Sequence, residues 1–323
     1  MTAHHSNNRP TGIRGGQRIR SNKVCRKHLL TNTIKDTLKV AEFLLELIAN
    51  ACEQEQEALL ELKNDVVDEG ALLILCYGAY MLKQYNKPLR LKTRDESCVF
   101  PIFEKHTHEI NHLPASLRSK FLNQEGELLF RLISEHNAML DELGTCYELL
   151  KREARATEED LEHWITVLSE VTTNSFDHGI KRMNKNSPVF IMGTAAKNQV
   201  RFAHLDMGGG IPETIRERAE KEQKIGLNDA DLIEYACQTG VSCRTHKGNR
   251  GEGLPMLVNL VNDTRGSLQI WSGNGLFQIK NRSTKKREIK PPKPSMKGFN
   301  GTFIKIEVNM ASQSTTQQES NNG

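Results

Sequence analysis

Between Thr157 and Val308 the chain alternates β-rich runs with helical stretches, joined by turns that carry glycine, and this alternation limits what it can fold into. Residues 189–194 and 199–205 are two β-rich runs separated by a polar turn at 195–198, the pattern of an antiparallel hairpin. Helical stretches follow at 212–223 and 229–238. A glycine-rich loop then leads into an apolar helix at 254–261, and strands at 266–271, 275–280 and 301–308 complete the run. Strands in this order pair antiparallel, and amphipathic helices must bury one face. The expected product is an α+β domain, a two-layer sandwich with helices on one face of the sheet. It opens at Thr157-Glu158-Glu159-Asp160, a capping box, before Leu161, Trp164, Ile165, Leu168 and Val171 at helical spacing.

Upstream the signals are thinner. Val40, Phe43, Leu44, Leu47, Ile48 and Ala51 recur at helical spacing, and this helix is expected to run toward Leu62. A second apolar helix at 71–82 precedes a short strand at 88–92. Leu128, Leu129, Leu132, Ile133, Leu140, Leu143, Tyr147 and Leu150 predict one long amphipathic helix, suited either to dimerisation or to packing between domains. With 323 residues, two folded domains are expected. The division is a disordered basic arm at 1–32, an N-terminal α/β domain at 33–125, a connecting helix at 126–156, a second domain at 157–310 and a disordered tail at 311–323.

No apolar run reaches the ~18 residues of a membrane span, and the basic N-terminus lacks the apolar core of a secretory signal, so a cytoplasmic protein is expected. The seven cysteines are odd in number and unpaired in spacing, which argues against a disulfide framework. Cys237, Cys243 and His246 fit no common zinc spacing, and His106, His108 and His112 lack a carboxylate or cysteine arranged around them, so packing or surface roles are favoured. The net charge is +4, yet no acidic residue precedes Asp36 while eight Lys or Arg do. Such an arm can neutralise phosphates, but no aromatic side chain interleaves with it for base stacking, and a solvated tail is the preferred reading. A second basic stretch, Arg282 to Lys297 with three prolines, reads as an exposed loop.

Three segments carry chemistry. Glu170, Asn174 and His178 are spaced by four on one helix face. An amide oxygen suits a hard cation, and a carboxylate one turn away can take a proton, although many surface helices carry such a pair. Asp206-Met-Gly208-Gly-Gly210-Ile-Pro ends a strand with an acid and leaves it through glycines, where a carboxylate can accept the exocyclic amine of a base. An ordinary strand-to-helix turn reads the same way. Gly240 to Gly253, including Gly248, Arg250 and Gly251, runs into a helix N-terminus, where backbone N–H groups suit phosphate oxygens. It is neither a Walker A loop nor a Rossmann turn.

In order and spacing these segments, closed by Gly301-Thr302, resemble the GHKL superfamily of ATPases and kinases (gyrase, Hsp90, histidine kinase and mismatch-repair types) over about half the chain. Residues 170–179 resemble the N box, Asp206-x-Gly208-x-Gly210 the G1 box and Gly251-x-Gly253 the G2 box. The resemblance implies a Bergerat-type ATP-binding fold with ATP and Mg²⁺ as ligands. It further implies Asn174 on Mg²⁺, Asp206 on adenine, 240–253 as the ATP lid with Arg250 and Gly251 in it, Thr302 behind the base and Glu170 as general base. Asn-Ser-Phe-Asp-His-Gly is most similar to anti-sigma-factor serine kinases, which have an Asn and a His-Gly pair at the positions of Asn174, His178 and Gly179. Residues 66–114 resemble the STAS-like domains that pair with such kinases. A protein partner of that type, or a second copy, is therefore expected. Autophosphorylation on histidine is not, because the nearest helical candidate, His136, lies too close upstream. The functions weighed are a protein Ser/Thr kinase or ATPase, a nucleotide-gated interaction protein, and a nucleic-acid-associated ATPase using the basic arm.

Overall fold

In the computed structural model the described residues are 24–29, 44, 46–48, 57–62, 68–83, 85–92, 97–99, 127–133, 135–153, 156–180, 189–196, 199–241, 252–289 and 299–310. They form an α+β protein with two sheets. The smaller sheet has the order β1 (Val24–Leu29), β2 (Glu57–Leu62), β3 (Leu89–Lys92), β4 (Ser97–Val99). Its first three strands run parallel and β4 is antiparallel to β3. Helix α1 (Glu69–Lys83) lies between β2 and β3 in the chain.

The larger sheet has seven strands in the order β10-β9-β8-β11-β7-β6-β5. These are β5 (Glu127–Ile133), β6 (Val189–Ala196), β7 (Gln199–Asp206), β8 (Ser267–Gly273), β9 (Gly275–Lys280), β10 (Ser283–Glu288) and β11 (Phe299–Asn309). Every neighbouring pair is antiparallel. The helices are α2 (Met139–Glu153), α3 (Glu158–Asn174), α4 (Ile211–Lys221), α5 (Asp229–Ala236) and α6 (Gly253–Asp263).

Alternation along the strands divides the side chains between two cores. Phe202, Ile191, Ile270, Phe277, Ile304 and Ile306 face α2, α3 and α6. Their neighbours Leu205, Phe190, Met192, Trp271, Leu276 and Phe303 face the opposite way, into a core shared with α1 and with Leu60, Leu89 and Leu91 of the small sheet. Both faces of the large sheet are therefore covered in part, one by α2, α3 and α6 and the other by α1. The reason lies in α1, whose residues from Glu69 through Ala79 are all buried. A helix apolar on every side has to be enclosed, and here it is enclosed between two sheets.

Four expectations are corrected. Residues 127–133 form strand β5, paired residue for residue with β6, and helix α2 begins only at Met139. The apolar run ELLFRLI satisfies strand and helix alike, and an open sheet edge beside β6 decides between them. Residues 57–62 form β2 rather than the end of a helix, since β1 and β3 flank them. Within the arm at 1–32, residues 24–29 form β1. Within the basic insert, residues 283–288 form β10, folded back on β9 through a turn in which Asn281 and Arg282 have φ of 49° and 67°.

Candidate functional site

Helix α3 positions the first half of the site. Its Thr157 cap is closed in both directions: Asp160 N donates to Thr157 Oγ1 at 3.1 Å, and Thr157 N donates to Asp160 Oδ2 at 3.2 Å. Leu161, Trp164, Val167, Leu168 and Val171 are buried, which leaves Glu170 and Asn174 half-buried. The N-terminus of α6 meets them at Gly253. A Cβ there would stand 2.9 Å from Glu170 Cβ and 3.0 Å from Asn174 Nδ2, so this approach of two helices needs the glycine. Gly253 thereby brings the third sequence segment against the first.

Past Asn174 the helix continues as a π turn, Ser175–Ile180. Its first residue, Ser175, is buried and donates to Asp206 Oδ2 at 2.8 Å. Asp206 ends β7 opposite Thr302 of β11. Gly208 N donates to Asp206 Oδ1 at 2.9 Å, and Thr302 adds hydrogen bonds from backbone and side chain. Burial pushes the Asp206 carboxyl up to about 6, against the opposing pull of these donors.

Behind the carboxylate, Ser272 ties three elements together. Its hydroxyl donates to Gly301 O at 2.7 Å, accepts from Ile211 N at 2.8 Å and lies 3.3 Å from Thr302 Oγ1. Gly301 sits at a register shift in the β11 and β8 pairing with φ of 125°, and a Cβ on it would run into the Asp206 carbonyl. Gly210 caps α4 with φ of 82°, and a Cβ on it would lie 2.6 Å from Ser272 Oγ. Behind Asp206, backbone is held against backbone.

Of the residues singled out in the sequence, Glu170 and Asn174 converge with Gly253, while Asp206, Gly208, Gly210 and Thr302 converge around Ser175 and Ser272. His178 lies in the π turn. Arg250 and Gly251, like Cys243, His246 and the three histidines at 106–112, lie outside the described residues. Ser175 and Ser272 escaped the sequence reading. The only signal for Ser175 was its place beside Asn174, and nothing local marks Ser272 out from other strand serines.

His204, two residues before Asp206, was also missed. It is 3% exposed, its ring nitrogens have no hydrogen-bond partner among the described residues, and burial pushes its imidazole down to about 3. His136, by contrast, packs edge-on against Phe176 with ring centroids 5.8 Å apart. Cys76, Cys146 and Cys237 take part in no disulfide among the described residues. Among the described residues no helix is long and apolar enough to cross a membrane, and no three His, Cys, Asp or Glu side chains converge as a metal site. No family model matches this chain, and no curated protein does.

Proposed function

We propose that the chain is a Mg-ATP-binding regulatory protein of the GHKL type with a Bergerat-type fold, acting as a protein Ser/Thr kinase or an ATPase. The observation that carries this reading is the setting of Asp206. It is a buried carboxylate whose described hydrogen-bond partners are all neutral donors, at a strand end where Gly210 and Gly301 let the backbone pack closely behind it. The exocyclic amine of adenine is proposed to take the place of one of these four donors at a carboxylate oxygen.

The chemistry of Asn174 fits a magnesium ion. Its side chain offers one hard oxygen, and Mg²⁺ characteristically takes few protein ligands and fills its shell with phosphate oxygens and water. When bound, the ion neutralises charge on the phosphates. Glu170 lies one turn before Asn174 and is half-buried, open to take a proton from a Ser/Thr hydroxyl or a water. The freed oxygen then forms its bond to the γ-phosphorus as the bond to the ADP oxygen breaks. The N-terminus of α6, where the Glu252 side chain makes no capping hydrogen bond, faces the same ground and offers backbone N–H groups suited to phosphate.

Titration calorimetry with Mg-ATP tests the binding. We expect Asp206→Asn to weaken it at least tenfold, and the wild-type affinity to fall as pH drops through about 6, since a protonated carboxyl no longer accepts the amine at that oxygen. Glu170→Gln is expected to retain ATP and lose transfer of γ-labelled phosphate to partner or water. Full transfer by that variant would remove Glu170 as the base, and absence of ATP binding by the wild type would remove the whole reading.

A further inference from the structure

Among the described residues, α1 does not cover the whole of its face of the large sheet. Past the apolar row of Leu276, Trp271 and Phe303, which belongs to the α1 core, the next row is polar. Lys285, Gln278, Gln269 and Lys305 stand opposite one another on β10, β9, β8 and β11. Cross-strand neighbours lie about 5 Å apart, so this row crosses four strands as a ladder with an ammonium at each end. It forms part of the floor of a groove of about 860 Å³, to which Lys280 and Arg265 add two more cations.

The charges in this groove are unevenly matched. At the inner end Lys305 pairs with Asp68 at 2.5 Å, and Glu307, the one acid among the described residues lining the groove, accepts from Gln199 at 3.1 Å. Arg265, Lys280 and Lys285 are all exposed, and none pairs with an acid among the described residues. On the opposite face of β10 the neighbouring Lys286 is held at 2.6 Å by Asp231 and 2.7 Å by Glu234. One strand thus carries a neutralised lysine toward the helices and an unmatched one toward the groove.

We propose that this groove binds the sugar-phosphate backbone of a single-stranded nucleic acid. Arg265, Lys280 and Lys285 neutralise phosphates, and Gln269 and Gln278 hydrogen-bond to sugars or base edges; Gln269 Oε1 is buried without a described partner. The groove suits a nucleic acid better than an acidic peptide. Leu268 and Ile279 border it, but their side chains belong to the core on the helix face, so a peptide would find no apolar pocket to anchor in. Phosphodiester binding runs chiefly on charge neutralisation and counterion release. Among the described residues no aromatic side chain lines the groove, so binding is weakly sequence-dependent and steeply salt-dependent.

The test is fluorescence anisotropy of the full chain with a labelled mixed-sequence strand of about 20 nucleotides, as RNA and as DNA, over a salt series. The wild type should bind, and K280E/K285E should weaken binding at least tenfold. It should also flatten the slope of log K against log salt by about 1.4, or roughly 0.7 for each lost phosphate contact. Lys221→Glu, at an exposed position of α4, should change neither, and K280Q/K285Q repeats the test if the charge reversal fails to fold. The proposal is overturned if the wild type binds neither strand, if the Lys280 and Lys285 variants bind with wild-type affinity and slope, or if labelled polyglutamate of equal length binds as tightly as the nucleic acid.

Discussion

Two carboxylates are buried against opposite faces of the large sheet, and the company they keep differs. Glu69, at the start of α1, accepts from Thr194 at 2.6 Å and lies 3.5 Å from the Arg201 guanidinium. Its counter-charge is permanently part of the fold. Asp206, on the helix face, is held by Ser175, Gly208 and Thr302, which are all neutral. A buried charge with its own cation is an internal fastening. One with only neutral donors has no counter-charge inside the fold, and it is costly to keep ionised.

The largest test of this contrast is Gly301→Val. A side chain there meets the Asp206 carbonyl at a backbone angle that branched residues avoid, and we expect a loss of more than about 3 kcal/mol in urea unfolding. Wild-type stability would mean that the wall behind Asp206 is not built of touching backbones.

Next comes the pH dependence. The folded pKa of Asp206, about 6, lies above its ordinary 3.8, so its contribution is complete below 3.8 and is lost as pH rises through 6. That loss is on the order of 3 kcal/mol, and Asp206→Asn should recover most of it at pH 7. His204 acts in the opposite sense. Its folded pKa of about 3 lies below 6.5, so its contribution is present above 6.5 and is lost as pH falls. The Asn variant should therefore lose stability steadily below about pH 6.5, where the wild type is partly compensated. Identical pH profiles for the two proteins would place Asp206 in a wetter setting than its burial implies.

Glu69→Ala should cost about 2 kcal/mol by leaving the Thr194 hydroxyl without its acceptor and removing the carboxylate beside Arg201, while ATP affinity in calorimetry stays within twofold. A tenfold loss of affinity would erase the distinction between the two acids. The smallest effect is expected of Lys286→Ala, which breaks a partly exposed version of the Glu69 arrangement. Thermal unfolding should register under about 1 kcal/mol.

Much of the helix-face site was legible because its signals are local. The Thr157 cap, the spacing of Glu170 and Asn174, and the acid and glycines from Asp206 to Gly210 each depend on residues a few positions apart. What escaped was set by distant pairing. Ser175 and Ser272 matter because α3 and β8 bring them to Asp206 and Gly301, a relation that neither serine's neighbours encode. The strand at 127–133 was misread because its apolar run fits either period, and β6 resolves it from some sixty positions downstream in the chain. The enclosure of α1 was hinted at by its uniformly apolar sequence, but no local feature names the sheet that covers it.

That enclosure bears on how the protein can be cut. Tyr77 of α1 packs 4.7 Å from the Phe299 ring, and Phe299 in turn stacks on Trp271 at 4.4 Å, two positions ahead of Gly301. A fragment beginning at residue 127 would retain every element of the candidate site yet lay bare Phe190, Trp271 and Phe303 on one sheet surface. Such a fragment should be sticky in solution, and the two halves of the chain should melt together as one calorimetric event.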